Sequence, residues 1–294
     1  MPSANPPVTA GTGTATGGMG RPIKGPSALG SDPRRLLQLT VVLAVMDFKL
    51  RFFGSVLGYV WQLMRPLMLF GVLYIVFTQF VKIGEGVPFY PAVLLTGVVL
   101  YQFFSEATSR SLASVVDREG LIRKIEFPRL AVPLAAMLTA YFNLILNLVA
   151  VLIFVFATGV KPRWEWFALP VFLILLGLLA AGVCMLLAAL YVRFRDLKPI
   201  WEVLLQVGFY GSPILYPLEI IPSETAQRLI PMFNPLATIL VQFRHSLIDP
   251  SAINSWDAVG GARYLVVPIG ISAALVVLGV WVFQRRAPDL AEEL

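Results

Sequence analysis

Long uncharged apolar runs, separated by short polar segments, are the main pattern along this chain. The hydrocarbon core of a bilayer is about 30 Å thick and needs about 20 residues of helix, so each long run predicts a membrane-spanning helix. The predicted spans cover approximately residues 59–81, 87–105, 131–158, 166–192, 199–218 and 264–284. The pattern therefore predicts an all-α membrane protein with six transmembrane helices in a single domain, residues 31–294.

A further helix is predicted before the first span. Residues 34–53 place small or polar side chains at helical spacing, at Thr40, Ala44, Asp47 and Arg51, and the Asp-Pro pair just before them is a helix-start signal. The uncharged part of this segment is too short to span. We therefore expect an N-terminal amphipathic helix lying at the membrane interface, with a ragged start to the first span as the alternative.

The segment between the fifth and sixth spans has a different character. Within the region at about 222–248, residues 229–243 form an apolar but short run, and Asn234 followed by Pro235 interrupts it with a cap and a first-turn proline. This pattern predicts two short helices that meet at a bend. Apolar segments of this length are more often re-entrant or interfacial than spanning.

Residues 110–130 form the most highly charged stretch between the apolar runs. Seven of the thirteen residues at positions 117–129 are charged, and each charge would cost about 2.5–3.5 kcal/mol at the bilayer centre. Gly120 predicts a helix break, and Pro128 predicts a restart close to the third span. The expected structure is a short, partly helical hairpin that projects into water on one membrane face.

Composition supports a membrane protein and excludes several kinds of site. Hydrophobic residues make up 57% of the chain and charged residues 14%, against about a quarter charged in soluble domains. The single cysteine, Cys184, excludes an internal disulfide, and the single histidine, His245, has no Cys or His companion for a metal site. Residues 1–30 are rich in Gly, Thr, Pro and Ala, which predicts a disordered tail.

The basic residues predict an orientation. Most of the 23 Lys and Arg side chains lie on one side when both termini, the segment 106–129 and the segment 193–198 are placed in the cytoplasm. The net charge of +6 then reflects basic loops beside anionic lipid, and no nucleic-acid partner is expected. Residues 20–27 have proline where a phosphate loop needs lysine, so we do not expect this chain to bind ATP by that motif.

Four stretches, in this order and at these intervals, resemble a known transporter family. They are RFFGSVLGYVWQLMRP at 51–66, LIRKIEFPRL at 121–130, VRFRDLKP at 192–199, and FYGSPILYP at 209–217 followed by FNPL at 233–236. Together they resemble the permease subunit of ABC transporters that export lipid-linked polysaccharides. That class includes exporters of O-antigen, teichoic acid and cell-wall galactan.

The resemblance implies an assembly and a mechanism. Two copies of the chain form one channel in the bacterial cytoplasmic (inner) membrane, and two separate subunits bind ATP and Mg²⁺ and hydrolyse the nucleotide. The substrate is a glycan carried on a polyprenyl diphosphate, and the short helices at 222–248 match gate helices near its exit. This chain itself has no catalytic residue, cofactor or metal in that scheme.

The candidate site residues fall into two groups. The charged hairpin matches the segment by which such permeases contact the ATPase: Asp117, Arg118, Glu119, Arg123, Lys124 and Glu126. Simple solvation of a loop is the alternative explanation for those charges. The second group contains candidate substrate contacts. Two are arginines, whose planar guanidinium groups can bind two oxygens of a diphosphate at once, and five are aromatic side chains that can stack on sugars. These residues are Arg51, Arg65, Phe70, Tyr74, Phe77, Trp201 and Tyr210. Lipid headgroups and helix packing are the alternatives for these.

Three other functions remain open from the sequence. The first is an ABC permease for a drug or a small lipid. The second is a membrane-embedded glycan-transferring enzyme, for which Glu219 and Glu224 in the last long loop are weak support; with Arg228 they are also candidates for contacts with an emerging polymer. The third, an ion-coupled carrier, is disfavoured because no Asp, Glu or Lys is expected in the middle of a span.

Overall fold

The computed structural model describes residues 33–52, 56–83, 86–120 and 127–286, and every regular element in these ranges is helical. The α-helices are α1 (Pro33–Phe52), α2 (Val56–Ile75), α3 (Tyr90–Asp117), α4 (Ala131–Ala157), α5 (Leu169–Tyr191), α6 (Leu197–Gly211), α7 (Glu224–Phe233), α8 (Pro235–Phe243), α9 (Ser255–Ala258) and α10 (Val266–Arg286). π-Helical turns follow α2 and α8, and 3-10 turns precede α5 and α10. The predicted helical class is confirmed for these residues, and the predicted tail at 1–30 lies outside them.

Four helical segments are long and apolar enough to cross a bilayer. They are Val60–Phe80, Ala131–Ala157, Trp164–Tyr191 and Ala262–Arg286. They coincide with the predicted first, third, fourth and sixth spans. The other two predicted spans differ from expectation in length, one being longer and one shorter, and the count of six spans stays a prediction.

The longer element is α3, which continues past the expected end at residue 105 to Asp117. Residues 110–117 of the predicted, partly helical hairpin therefore belong to α3, and the rest of that hairpin stays a prediction. The helix continues because its first two charges neutralise each other one turn apart, with Arg110 Nε 3.2 Å from Glu106 Oε1. The chain leaves the helix at Arg118, before Gly120, and residues 119–120 are again helical.

The shorter element is α6, which has 15 residues and ends at Gly211 rather than at 218. The residue before a proline is disfavoured in the α region, and Ser212, which precedes Pro213, is extended with φ −105° and ψ 151°. The next residues are turns, buried by the rest of the protein, and the Tyr90 hydroxyl donates to the carbonyl of Leu215 at 2.8 Å. Irregular backbone at this depth is thus covered by protein.

The two short helices predicted between the fifth and sixth spans are α7 and α8. They meet at Asn234, whose side-chain oxygen accepts from the backbone N–H of Leu236 at 3.1 Å and of Ala237 at 3.2 Å. Pro235 occupies the first turn of α8, where its missing N–H costs nothing. The capping pattern read from the sequence therefore sets this bend, and a gating role for the two helices stays a prediction.

The predicted helix at 34–53 is present as α1. Its small and polar face packs against α4: Ala44 and Thr40 are buried, and the Thr139 hydroxyl approaches the carbonyl of Ala44 at 3.4 Å. The opposite face of α1 carries exposed apolar side chains such as Val42 and Met46. This arrangement supports an amphipathic helix with protein on one face and membrane on the other.

The helices α5 and α10 cross backbone to backbone. A Cβ on Gly182 of α5 would lie 2.7 Å from the amide nitrogen of Val276, and a Cβ on Gly279 of α10 would lie 2.6 Å from the carbonyl oxygen of Gly182. Only glycine allows so close an approach, which is how many membrane helices associate.

Candidate substrate cleft and charged helix junction

A cleft of about 780 Å³ opens between α2, α3 and α6. One arginine from α2 and one carboxylate from α6 border it, together with hydroxyls, amides and aromatic rings from α3 and α6. The polar and aromatic lining residues are Arg65, Tyr101, Gln102, Ser105, Ser109, Glu202, Gln206, Phe209 and Tyr210. Leu69, Val98 and Leu205 also line the cleft, so its surface combines polar groups, aromatic rings and aliphatic side chains.

Contacts behind the cleft hold its aromatic wall in place. The Tyr101 hydroxyl donates to the carbonyl of Leu205, and its ring packs edge-on against Phe209 at 5.2 Å between centroids. A Cβ on Gly208 would lie 2.9 Å from the Tyr101 hydroxyl, so glycine at this position makes room for that bond. Tyr210 packs edge-on against Phe209, with 5.4 Å between ring centroids, but is 64% accessible and so can also meet a ligand.

The cleft also contains hydrogen-bonding capacity that the protein does not use. Among the described residues, Gln102 Oε1 is buried without a partner. An unsatisfied buried acceptor costs about 1–3 kcal/mol, so it is usually met by water or ligand. With Arg65, Glu202 and Gln206 nearby, the cleft offers both donors and acceptors to a hydroxyl-rich molecule.

Two of the seven predicted substrate contacts, Arg65 and Tyr210, line this cleft. The indole N–H of Trp201 donates instead to Thr108 Oγ1 at 3.0 Å. Arg51 lies elsewhere, in the ion-pair cluster described below. The structure therefore brings together one arginine and one aromatic ring of the predicted set.

The predicted aromatic stripe of the first span packs inward. Phe70 lies 5.7 Å from Tyr74 and 5.4 Å from Phe154 between ring centroids, and Phe77 is half-buried against the same core. This is the packing alternative that the sequence left open. None of the three borders the cleft among the residues that line it, and substrate contact by them stays a prediction.

Glu202, Gln102 and Gln206 line the cleft but were not predicted from the sequence. A signal was available, because Glu202 and Gln206 are four apart in an otherwise apolar helix and therefore share a face. The sequence does not show which neighbouring helix the face with Glu202 and Gln206 contacts.

A cluster of ion pairs, here called the junction, ties α1, α3 and α4 together. The carboxylate oxygen Oε1 of Glu106 accepts from Arg51 Nη1 at 2.7 Å and from Asn143 Nδ2 at 2.8 Å, and Arg110 Nε lies 3.2 Å from the same oxygen as an ion pair. Only 15% of the Glu106 side chain is exposed. Two hydrogen bonds and a second cation at this burial make Glu106 the central carboxylate of the junction.

A second ion pair connects the same helices one step nearer to the charged segment. Arg118, just past the end of α3, donates to Asp47 of α1. Arg118 was predicted to contact an ATPase, and in the structure it is half-buried in this intramolecular pair. Asp117 is exposed and Glu119 is half-buried, whereas the other predicted contacts lie outside the described residues: Arg123, Lys124 and Glu126.

No group of three or more metal-ligating side chains occurs within the described ranges.

Comparison with known families identifies the class of protein. The chain matches the ABC-2 type transporter family over residues 38–248, and it belongs to that family. The matched range begins in α1 and includes both the cleft and the junction. The chain is therefore a multi-pass transport subunit, as the resemblance predicted, and not an enzyme.

The relatives of this chain include O-antigen export permeases and a polysialic acid transport protein. The O-antigen export system permease protein RfbA of Myxococcus xanthus is 27% identical over 256 residues, covering 87% of this chain and 95% of RfbA. RfbA of Klebsiella pneumoniae is 26% identical, with coverages of 88% and 96%. The polysialic acid transport protein KpsM of Escherichia coli is 24% identical, with coverages of 79% and 90%.

Proposed function

We propose that this chain is the permease subunit of an ABC exporter that moves a glycan, linked to polyprenyl diphosphate, across the bacterial cytoplasmic membrane. The relatives named for O-antigen export and polysialic acid transport support the substrate class. The observation that carries the proposal is the cleft between α2, α3 and α6, whose arginine, amides and tyrosine suit a chain of hydroxylated rings.

A second copy of the chain completes the path in this proposal. The outer face of α6 carries exposed apolar side chains, including Val203, Val207 and Tyr210. A cleft open on that side becomes an enclosed channel when another copy covers it. With six spans and both termini in the cytoplasm, two copies would enclose one polar passage.

Two separate ATPase subunits supply the energy, holding ATP and Mg²⁺ themselves. The charged segment after α3 is the proposed contact, and the junction links it to α1 through Asp47 and Arg118. Nucleotide-driven movement of the partner would favour one of two helix packings, and the segment would transmit that preference to the cleft.

The contact with the ATPase is tested by reversing two charges. Arg123→Glu with Lys124→Glu is expected to lower co-purification of the ATPase at least tenfold, equivalent to about 1.4 kcal/mol, while membrane insertion is unchanged. Lys82→Glu with Lys161→Glu, a double reversal in predicted outer loops, serves as the control and should keep the partner bound. Undiminished co-purification of the first variant would refute the assignment.

The cleft is tested by transport. In cells lacking the natural gene, the lipid-linked glycan should accumulate at the inner membrane face, and the wild-type chain should clear it. Tyr210→Ala is expected to slow clearance about 2–10-fold, because a stacked ring contributes about 0.5–1.5 kcal/mol. Trp164→Ala removes an exposed ring that does not line the cleft and should transport normally. Equal rates for both variants, or no accumulation without the gene, would contradict the proposal.

A further inference from the structure

A second cavity, of about 410 Å³, lies between α7, the turn after α9 and the 3-10 turn Ala262–Leu265. We call it the outer pocket. Helix α10 begins beside it, and near its other end Phe283 belongs to the same buried cluster as Val115 and Leu130, close to the charged segment. The 21 residues of α10 span about 31 Å. The outer pocket and the charged segment are therefore separated by about the thickness of a bilayer core.

Two arginines from different elements border the outer pocket. They are Arg228 of α7 and Arg263 of the 3-10 turn. Within the described part of the chain neither has a carboxylate oxygen within 4 Å, whereas Arg244, in the same region, pairs with Glu219 at 2.9 Å. Glu224 is the one carboxylate among the residues that line the pocket, so its rim has a net positive charge.

The surroundings orient these guanidinium groups without neutralising them. Arg263 lies over the ring of Tyr264, with 4.7 Å from its Cζ to the ring centroid, and its Nη2 donates to the Tyr264 hydroxyl at 3.0 Å. Gly260 has φ +89°, a conformation that favours glycine, and a Cβ there would lie 3.6 Å from Arg228 Cδ. The turn thus runs close beside the Arg228 side chain, which lines the cavity.

The side chains around the outer pocket are those typical of a membrane interface. α7 is short and exposes Leu229 and Phe233, and Trp256 is exposed on neighbouring α9. Exposed aromatic and aliphatic side chains beside charged ones mark helices that lie in the membrane interface. A ligand of this pocket therefore presents its polar group at the surface of the bilayer.

We propose that the outer pocket binds the phosphate group of a lipid on the side of the membrane opposite the charged segment. The guanidinium groups of Arg228 and Arg263 suit the geometry and charge of phosphate oxygens, and the hydroxyls of Thr225 and Tyr264 lie beside them. Two lipids have this chemistry: the diphosphate-linked carrier after transport, and an ordinary anionic phospholipid. The assignment of this side as the outer one rests on the proposed orientation of the exporter.

The experiment is a binding titration on the full chain in nanodiscs made of phosphatidylcholine. Farnesyl diphosphate is the probe, and an Arg65→Gln background removes any contribution from the cleft. Arg228→Gln with Arg263→Gln is expected to weaken binding at least tenfold. Arg195→Gln with Lys198→Gln removes the same charge from the predicted inner loop and should change the dissociation constant less than twofold. Equal affinity for the two double variants would overturn the proposal.

Two further arms identify the lipid and separate this proposal from the proposed function. Arg228→Lys with Arg263→Lys keeps the positive charge but removes the planar guanidinium groups, so this variant should bind farnesyl diphosphate with intermediate affinity. Phosphatidylglycerol in the nanodisc should compete with the probe if the pocket accepts ordinary phospholipid, and should not compete if it selects the diphosphate. Normal glycan export without arginine-dependent binding would overturn the pocket alone, whereas arginine-dependent binding without export would overturn the proposed function alone.

Discussion

Replacing Glu106 with alanine is expected to destabilise the protein by about 2–3 kcal/mol. Loss of the carboxylate leaves Arg51 and Arg110 facing each other without their shared acceptor, and leaves the Asn143 amide without its partner. Breaking a fully buried pair costs about 3–5 kcal/mol, and the 27% exposure of Arg51 lowers that figure through solvent screening. Thermal unfolding of the purified chain in one detergent measures the effect.

The control for this prediction is an exposed carboxylate on the other side of the molecule. Glu165 lies 3.6 Å from Arg163 and half of its side chain is accessible, so Glu165→Ala should change stability by less than about 0.5 kcal/mol. A cycle with Arg51→Gln adds a second check, because the double variant should lose less than the sum of the single losses. Equal stability of the Glu106 and Glu165 variants would show that the junction does not hold the helices together.

Substituting both glycines at the α5–α10 crossing is expected to cost about 3 kcal/mol or more. Each new methyl group would meet main-chain atoms of the opposite helix, at 2.7 Å for Gly182→Ala and at 2.6 Å for Gly279→Ala. Main chain cannot rotate away as a side chain does, so the helices must separate and lose contacts along their length. The yield of monodisperse protein after solubilisation and its melting temperature should both fall.

The same helix supplies a matched control. Gly270, also in α10, has open space where a Cβ would lie, so Gly270→Ala adds the same group without a collision. It should be neutral or slightly stabilising because alanine favours helix more than glycine does. If the double variant at the crossing melts together with Gly270→Ala, the close approach of α5 and α10 is not present in the protein.

Local signals in the sequence predicted the elements that local chemistry determines. The Asn234 cap and Pro235 set the bend between α7 and α8, and the spacing of Thr40 and Ala44 identified the small and polar face of α1, which the structure packs against α4. The end of α3 was predicted too early because Glu106, the first charged residue after an apolar run, was taken to mark the end of the membrane span. Its partner Arg51 is 55 residues away in the chain, and no local pattern reports that contact.

The same limit applies to the site. Arg65 and Tyr210 were found because their side-chain chemistry suits the substrate class, and the structure places both in the cleft. Phe70 and Tyr74 share a helical face as predicted, but a face read from one helix does not say whether a neighbour, lipid or ligand covers it. For Phe70 the neighbour is Phe154 of α4.

The shortness of α6 has a mechanical consequence for the surrounding bilayer. In the six-span arrangement its 15 residues rise about 22 Å, well below the thickness of the hydrocarbon layer. Acyl chains beside it must compress or tilt. The elastic energy of this hydrophobic mismatch grows with the length of the boundary between lipid and the short helix. Two such helices brought side by side share one thinned patch in place of two, so the elasticity of the membrane itself favours their association.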